Sequence, residues 1–159
     1  MREIPLTQGK VALVDADMFE ELNKFNWHAF RSGRTYYAAR NTRDSETGKA
    51  GIMYMHREIL NTPVGFETDH YNWNGLDNRR ANLRVATKSQ NQHNHHPRKG
   101  TSRFKGVDWN KSEEKWQVRI RCAGKRYHLG LFASEIDAAR AYNRKAAELF
   151  GEFARLNEI

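Results

Sequence analysis

Between Glu67 and Asn94 the chain reads Glu67-Thr68-Asp69-His70, then Asp77-Asn78-Arg79-Arg80-Ala81-Asn82-Leu83-Arg84, then Ser89-Gln90-Asn91-Gln92-His93-Asn94. A carboxylate stands beside a histidine, and two spaced asparagines, Asn82 and Asn91, come after them. If the first segment is extended, Asp69 and His70 point to opposite faces. One can then hold a metal while the other serves as a base. Asp69 and Asn91 offer hard oxygens of the kind Mg²⁺ prefers, an ion normally held by one or two protein carboxylates that keeps several waters. A metal and a base facing each other across a phosphodiester are the minimum for its hydrolysis.

These three segments resemble the HNH endonucleases, and most of all the phage and intron-associated homing type, in which asparagine replaces the last histidine. The resemblance implies a ββα-metal fold: a strand ending at Asp69-His70, a loop, a strand near Leu83–Val85, then a helix carrying Asn91. It makes His70 the general base, Asp69 and Asn91 the ligands of Mg²⁺ (or Mn²⁺), and Asn82 the brace that holds the loop and orients the histidine. Arg84, just after the Asn-Leu pair, is open to two roles, a phosphate contact or a structural salt bridge. His56 precedes the motif, and structural hydrogen bonding is the role expected of it rather than a phosphate contact.

At 159 residues the chain has room for one ordinary domain or two small ones. A hydrophobic content of 38% keeps any core small. The single cysteine, Cys122, excludes an internal disulfide and a cysteine-rich zinc site. No run of about twenty apolar residues is present, so no membrane span is expected. The start of the chain lacks the apolar core of a signal peptide. The sequence therefore predicts a soluble protein of a reducing compartment, and the HNH resemblance implies the cytoplasm of a phage host or bacterium and no small-molecule cofactor.

The net charge of +8 is unevenly spread. From Arg98 to His128 ten Lys/Arg stand against three Asp/Glu, a net of +7. Solvated faces usually mix signs, so this asymmetry argues for a polyanion partner, which the HNH resemblance implies is double-stranded DNA.

The sequence predicts an α+β protein in three segments: a nuclease half over residues 1–96 with its motif at 61–96, a linker at 97–102, and a second domain at 103–159. In the N-terminal extension, Lys10–Val14 reads as a strand. Asp15-Ala16-Asp17 can cap a helix running to about Phe25, with Phe19, Leu22 and Phe25 on one face. Trp27–Phe30 and Thr35–Arg40 read as strands around a Ser32-Gly33 turn, and Met53–Leu60 as a short helix. Trp27, Tyr36, Tyr37 and Tyr54 read as core or sheet-face aromatics. The run from Leu6 to Asp15 and the subsequent Trp27 also resemble the leader of phage HNH proteins. His93, His95 and His96 lack the i, i+4 spacing of helical metal ligands, so a basic helix end is preferred over zinc. Pro97–Ser102 breaks that helix.

In the second domain Phe104–Trp109 reads as a strand. Trp116–Arg121 alternates, with Trp116, Val118 and Ile120 on one face and Gln117, Arg119 and Arg121 on the other. After the Ala123-Gly124 turn, Arg126 to Leu129 alternates again. Ser134-x-x-Asp137 is a capping box opening a helix to Phe150, ended by Gly151. Ala138, Ala141, Tyr142, the stem of Lys145, Ala146 and Leu149 form its buried stripe. The expected product is a three-stranded antiparallel sheet packed on one helix.

Phe104-Lys105-Gly106-Val107, Trp116–Arg121, Leu129-Gly130-x-Phe132, Ala138-Ala139-Arg140-Ala141-Tyr142 and Gly151-x-Phe153-Ala154-x-Leu156-Asn157 resemble the DNA-binding domain of plant apetala-two/ethylene-response factors. The resemblance implies that the open sheet face enters the DNA major groove, with Lys105, Arg119, Arg121, Arg126 and His128 on groove-facing positions. Asp108, Arg119 and His128 depart from the arginine, glutamate and tryptophan usual there, so the plant target sequence does not carry over. Lys99 and Lys111 read as phosphate contacts. An RNA substrate is disfavoured by a sheet shaped for a major groove. Together the readings predict a Mg²⁺-dependent homing-type DNA endonuclease. The alternative is a DNA-binding regulator that has lost catalysis, against which the intact Asp69, His70 and Asn91 speak.

Overall fold

The computed structural model describes residues 1–33, 35–94 and 100–159. The chain is α+β and divides into two compact units, Met1–Lys88 and Ser89–Ile159. His95, His96, Pro97, Arg98 and Lys99, and with them half of the expected linker, lie outside the described residues. The division falls ahead of that linker, because the last helix of the motif packs with residues C-terminal to it. The His93 ring stacks on Phe150 (centroids 3.7 Å apart, 11° between planes), and the His93 carbonyl accepts from Lys105 Nζ at 2.5 Å.

In the first unit, β1 (Arg2–Pro5) and β2 (Val11–Val14) form an antiparallel hairpin with Ile4 opposite Ala12. Strand alternation turns Ala12 and Val14 inward to join Ile4, Leu22, Trp27, Ala38 and Met55 in one core. The helix expected to reach Phe25 is a 3₁₀ turn at Ala16–Met18 followed by a single turn, α1 (Phe19–Leu22), and Phe25 is exposed. Two competing bonds explain the shortening. Asp15 caps nothing with its side chain and instead accepts the backbone N–H of Arg80 through Oδ2 at 2.8 Å. The carbonyl of Leu22 accepts from the Trp27 indole at 2.8 Å, where a longer helix would have used it.

A sheet in the order β3 (His28–Ser32), β4 (Thr35–Arg43), β5 (Ala50–Tyr54) comes next, all antiparallel. Met53 and Tyr54, expected in a helix, pair with Arg40 and Ala39 instead, so α2 is confined to Met55–Leu60. Asn61, in the left-handed region at φ 45°, ends it. α2 packs against β4, β6 (Glu67–His70) and β7 (Leu83–Ala86). β6 and β7 form a hairpin in which Asp69 faces Arg84 and His70 faces Leu83. Its long loop is tied to β2 by Leu13 N to Leu76 O and Asn78 N to Leu13 O, both 2.8 Å. α3 (Lys88–His93) succeeds β7 along the chain.

The second unit is a three-stranded antiparallel sheet, β8 (Val107–Asn110), β9 (Lys115–Cys122) and β10 (Lys125–Phe132), with β9 central, packed on α4 (Glu135–Phe150). The first strand opens at Val107 rather than Phe104. Gly106 sits at φ 75°, and a Cβ there would lie 2.2 Å from the Tyr142 ring. Close approach of helix and sheet therefore requires glycine at this position. Ser134 Oγ accepts Asp137 N–H at 3.3 Å at the start of α4. Ala138, Ala139 and Ala146, all small, bring α4 onto Phe104, Val107, Val118 and Ile120. A bulge in β10 between His128 and Gly130 shifts the register, with Gly130 at φ 124°.

Candidate active site

Asp69 and His70 are neighbours at the end of β6, and each is 5% exposed. His70 Nε2 lies 3.3 Å from Asn78 Oδ1. Asn78 is fully buried, and its Nδ2 donates to Leu76 O at 3.3 Å. That bond turns the amide oxygen toward the ring, so Nε2 carries the proton and the lone pair falls on Nδ1. Burial pushes the His70 pKa down, against upward pulls from Asn78, Asp69 and Asp77. A lowered value keeps the imidazole neutral at neutral pH, the state a base requires.

Asp69 is held by its register partner. Arg84 Nε and Nη2 both close on Asp69 Oδ2, at 2.8 and 2.7 Å, and the guanidinium lies 5.0 Å from the Tyr71 ring centroid. The structural salt bridge is thus one of the two roles open to Arg84 that is seen directly.

Asn82 spans the mouth of the loop. Its Oδ1 accepts from Asn72 N at 3.0 Å, its Nδ2 donates to Asp77 O at 2.8 Å, and its carbonyl accepts from Tyr71 N at 2.8 Å. Asp77, buried in the same loop, takes Arg79 through both oxygens and Asn72 through Oδ2. Asn82 therefore braces the loop, while Asn78 is the asparagine on the imidazole. Asn78 escapes notice in the sequence because an asparagine in an Asn-rich loop looks like ordinary turn chemistry. His56, expected to be hydrogen-bonded, is buried with no hydrogen bond to any described residue. Its ring packs instead on Tyr37, Tyr54 and His70.

Asn91 lies on α3 and is half-buried, in the second unit by the division of the chain. Among the described residues no three His, Cys, Asp or Glu come together as a metal-holding group. The Asp69 carboxylate and the Asn91 amide oxygen are each the kind of donor that a hard ion takes while keeping most of its waters.

On the second unit, Arg119, Arg121, Arg126 and His128 are exposed. Register sets Arg121 opposite Arg126 and Arg119 opposite His128, so the four share one face of β9 and β10. Asp108 takes Arg119 Nη2 at 3.3 Å in a half-exposed pair. Lys105 lies before β8, is half-buried, and gives its ammonium to the His93 carbonyl; burial, with Arg155 nearby, lowers its pKa to about 8. Lys111 is exposed in the turn between β8 and β9, and Lys99 lies outside the described residues. No helix among the described residues is long and apolar enough to cross a membrane.

Residues 61–93 match the family model described as HNH endonuclease. An uncharacterised HNH endonuclease of Acanthamoeba polyphaga mimivirus is 32% identical over 158 residues, covering 96% of this chain and 77% of that protein. Protein 3.8 of Escherichia phage T7 is 33% identical over 103 residues, covering 62% of this chain and 83% of its own length. APETALA2-like protein 2 of Oryza sativa is 43% identical over 61 residues, which are 37% of this chain and 14% of the plant protein.

Proposed function

The chain belongs to the HNH endonuclease family and is a DNA endonuclease, and we propose that it hydrolyses phosphodiesters on a ββα-metal site with His70 as general base. The observation that carries this reading is the buried His70, its Nε2 3.3 Å from the Oδ1 of the buried Asn78, beside the buried Asp69.

In the proposed reaction His70 Nδ1 takes a proton from water, whose oxygen attacks phosphorus in line with the 3′ leaving oxygen. Asn78 keeps the proton on Nε2 through that transfer. Asn82 keeps the loop closed so that Asn78 stays in place. Asp69 would hold a divalent ion, Mg²⁺ or Mn²⁺, which when bound supplies positive charge at the phosphate and leaving oxygen. Arg84 keeps the Asp69 carboxylate in one orientation, a support that ligating carboxylates commonly need.

The second unit is proposed as the DNA-binding part. Arg121 and Arg126 stand directly opposite on an open sheet face beside Arg119 and His128, and such a like-charge pair is unfavourable until an anion meets it. The partial likeness to the plant protein supports docking of this face in a major groove, which admits a two-stranded ribbon. The mimivirus and T7 relatives support an enzyme that acts inside a host cell. Incubation of supercoiled plasmid with purified protein, with and without Mg²⁺, tests the reading. Mg²⁺-dependent nicked or linear product supports it, and DNA binding without cleavage would favour a regulator instead.

A further inference from the structure

His56 is the second residue of α2, and its ring meets that of His70 in the interior. It is 8% exposed, makes no hydrogen bond to any described residue, and has Nδ1 buried without a partner. An imidazole nitrogen buried without a partner works against folding, so its presence asks for another cause. Hydrogen bonding, the role expected from the sequence, is not that cause.

The ring contacts supply one. His56 lies parallel to Tyr54 (centroids 5.4 Å apart, 17°), meets Tyr37 at a steep angle (5.4 Å, 65°) and stands nearly perpendicular to His70 (5.0 Å, 83°). Tyr37 closes on His70 from another side at 5.6 Å and 54°. The Asn78 bond fixes one nitrogen of His70, but at 3.3 Å it opposes rotation of the ring only weakly. Perpendicular aromatic packing is a favoured arrangement that opposes such rotation directly.

We propose that His56 is a positioning residue for His70: its ring is the wall that fixes the plane of the base, and its nitrogens take no part. This rests on the reading of His70 as the general base. Burial holds the His56 pKa down at about 3, so it stays neutral beside a ring that gains a proton during turnover.

The test uses full-length protein and supercoiled plasmid with Mg²⁺, measuring kcat and KM for His56→Phe and His56→Leu, with thermal melts of each. His56→Phe keeps a ring in place and should turn over close to wild type. His56→Leu fills the space without a flat wall and should lower kcat by about 10- to 100-fold with KM unchanged, the scale of a small misplacement of a catalytic group. Should the Leu variant fail to fold, His56→Met carries the same comparison. Wild-type kcat in the Leu or Met variant would overturn the proposal. So would a Phe variant as slow as the Leu variant, since a nitrogen would then be required, or an effect confined to KM. His70→Ala, run alongside, separates the two readings: wild-type turnover there would sink the assignment of the base itself.

Discussion

Arg84 reaches across the β6–β7 hairpin and closes both Nε and Nη2 on a single oxygen of Asp69, Oδ2. The two side chains are 14% and 5% exposed, so the pair is nearly dry. Removing one partner of a buried pair leaves an uncompensated charge, at about 3–5 kcal/mol. Arg84→Met should lower stability by that order in urea denaturation. Arg84→Met with Asp69→Asn should recover much of the loss, because no buried charge remains. If the double variant were no more stable than the single one, the pair would not be the source of the effect.

Asn78 and Asn82 should separate in their effects although both are buried in one loop. Asn78→Ala removes the acceptor at His70 Nε2, and cleavage should fall by about 10²-fold, within the usual worth of a correctly presented base, with DNA affinity unchanged. Asn78→Asp keeps an acceptor there and should retain more activity than the alanine variant. Asn82→Ala loses the bonds to Asn72 and Asp77 and should lower stability and activity together. Melting curves beside single-turnover rates distinguish the two patterns.

Acid should destabilise the first unit through His56. Its pKa is 6.5 when unperturbed and falls to about 3 in the folded protein, burial being the largest cause. The unfolded chain therefore binds the proton first as pH falls. The stability contributed by a neutral His56 is complete above pH 6.5 and is lost progressively from there toward pH 3. His70, lowered by burial as well, acts in the same direction. Urea midpoints should hold steady down to about pH 6.5 and decline from there to about pH 4.5, less steeply in His56→Phe. Equal slopes in the two proteins would contradict this.

On the basic sheet, stability and binding should move in opposite directions. Arg121 faces Arg126 across β9 and β10, so Arg121→Ala relieves a like-charge pair and should slightly stabilise the free protein at low salt. The same change should weaken DNA binding, by about 1–3 kcal/mol of discrimination if the arginine reads a guanine. Lys111→Ala should instead reduce affinity for all sequences and flatten its salt dependence. Anisotropy titrations with specific and scrambled duplexes at several salt concentrations measure both effects. Unchanged affinity in Arg121→Ala would make this face a protein-binding surface.

How much of the fold is legible in the chain depends on the range of the forces involved. The strand at Asp69-His70, the strand at Leu83 and the helix at Asn91 lie within one short stretch, and their cues are local. In β9 the alternation of Trp116, Val118 and Ile120 with Gln117, Arg119 and Arg121 leaves little choice of face, and Ser134 announces α4. The misreadings are tertiary. Met53 and Tyr54 enter a strand because β4 offers them a ladder, a partner invisible from their own neighbourhood. The helix at Phe19 stops early because Trp27 and Arg80 take the groups that would have extended or capped it. His56 reaches His70 only through packing of α2 on the hairpin, and Asn78 gains its role from a loop tied down at Leu13. Lys105 carries a positive charge in the sequence, but the fold half-buries it and gives its ammonium to the His93 carbonyl.

The most direct measurement is cleavage of supercoiled plasmid by His70→Ala, with Mg²⁺, beside the wild-type protein and a gel-shift of both on the same DNA. Loss of the base should slow cleavage by about 10²- to 10⁴-fold, the range of general acid–base catalysis, while leaving DNA affinity nearly unchanged. Wild-type cleavage by a folded His70→Ala protein would contradict the account at its centre.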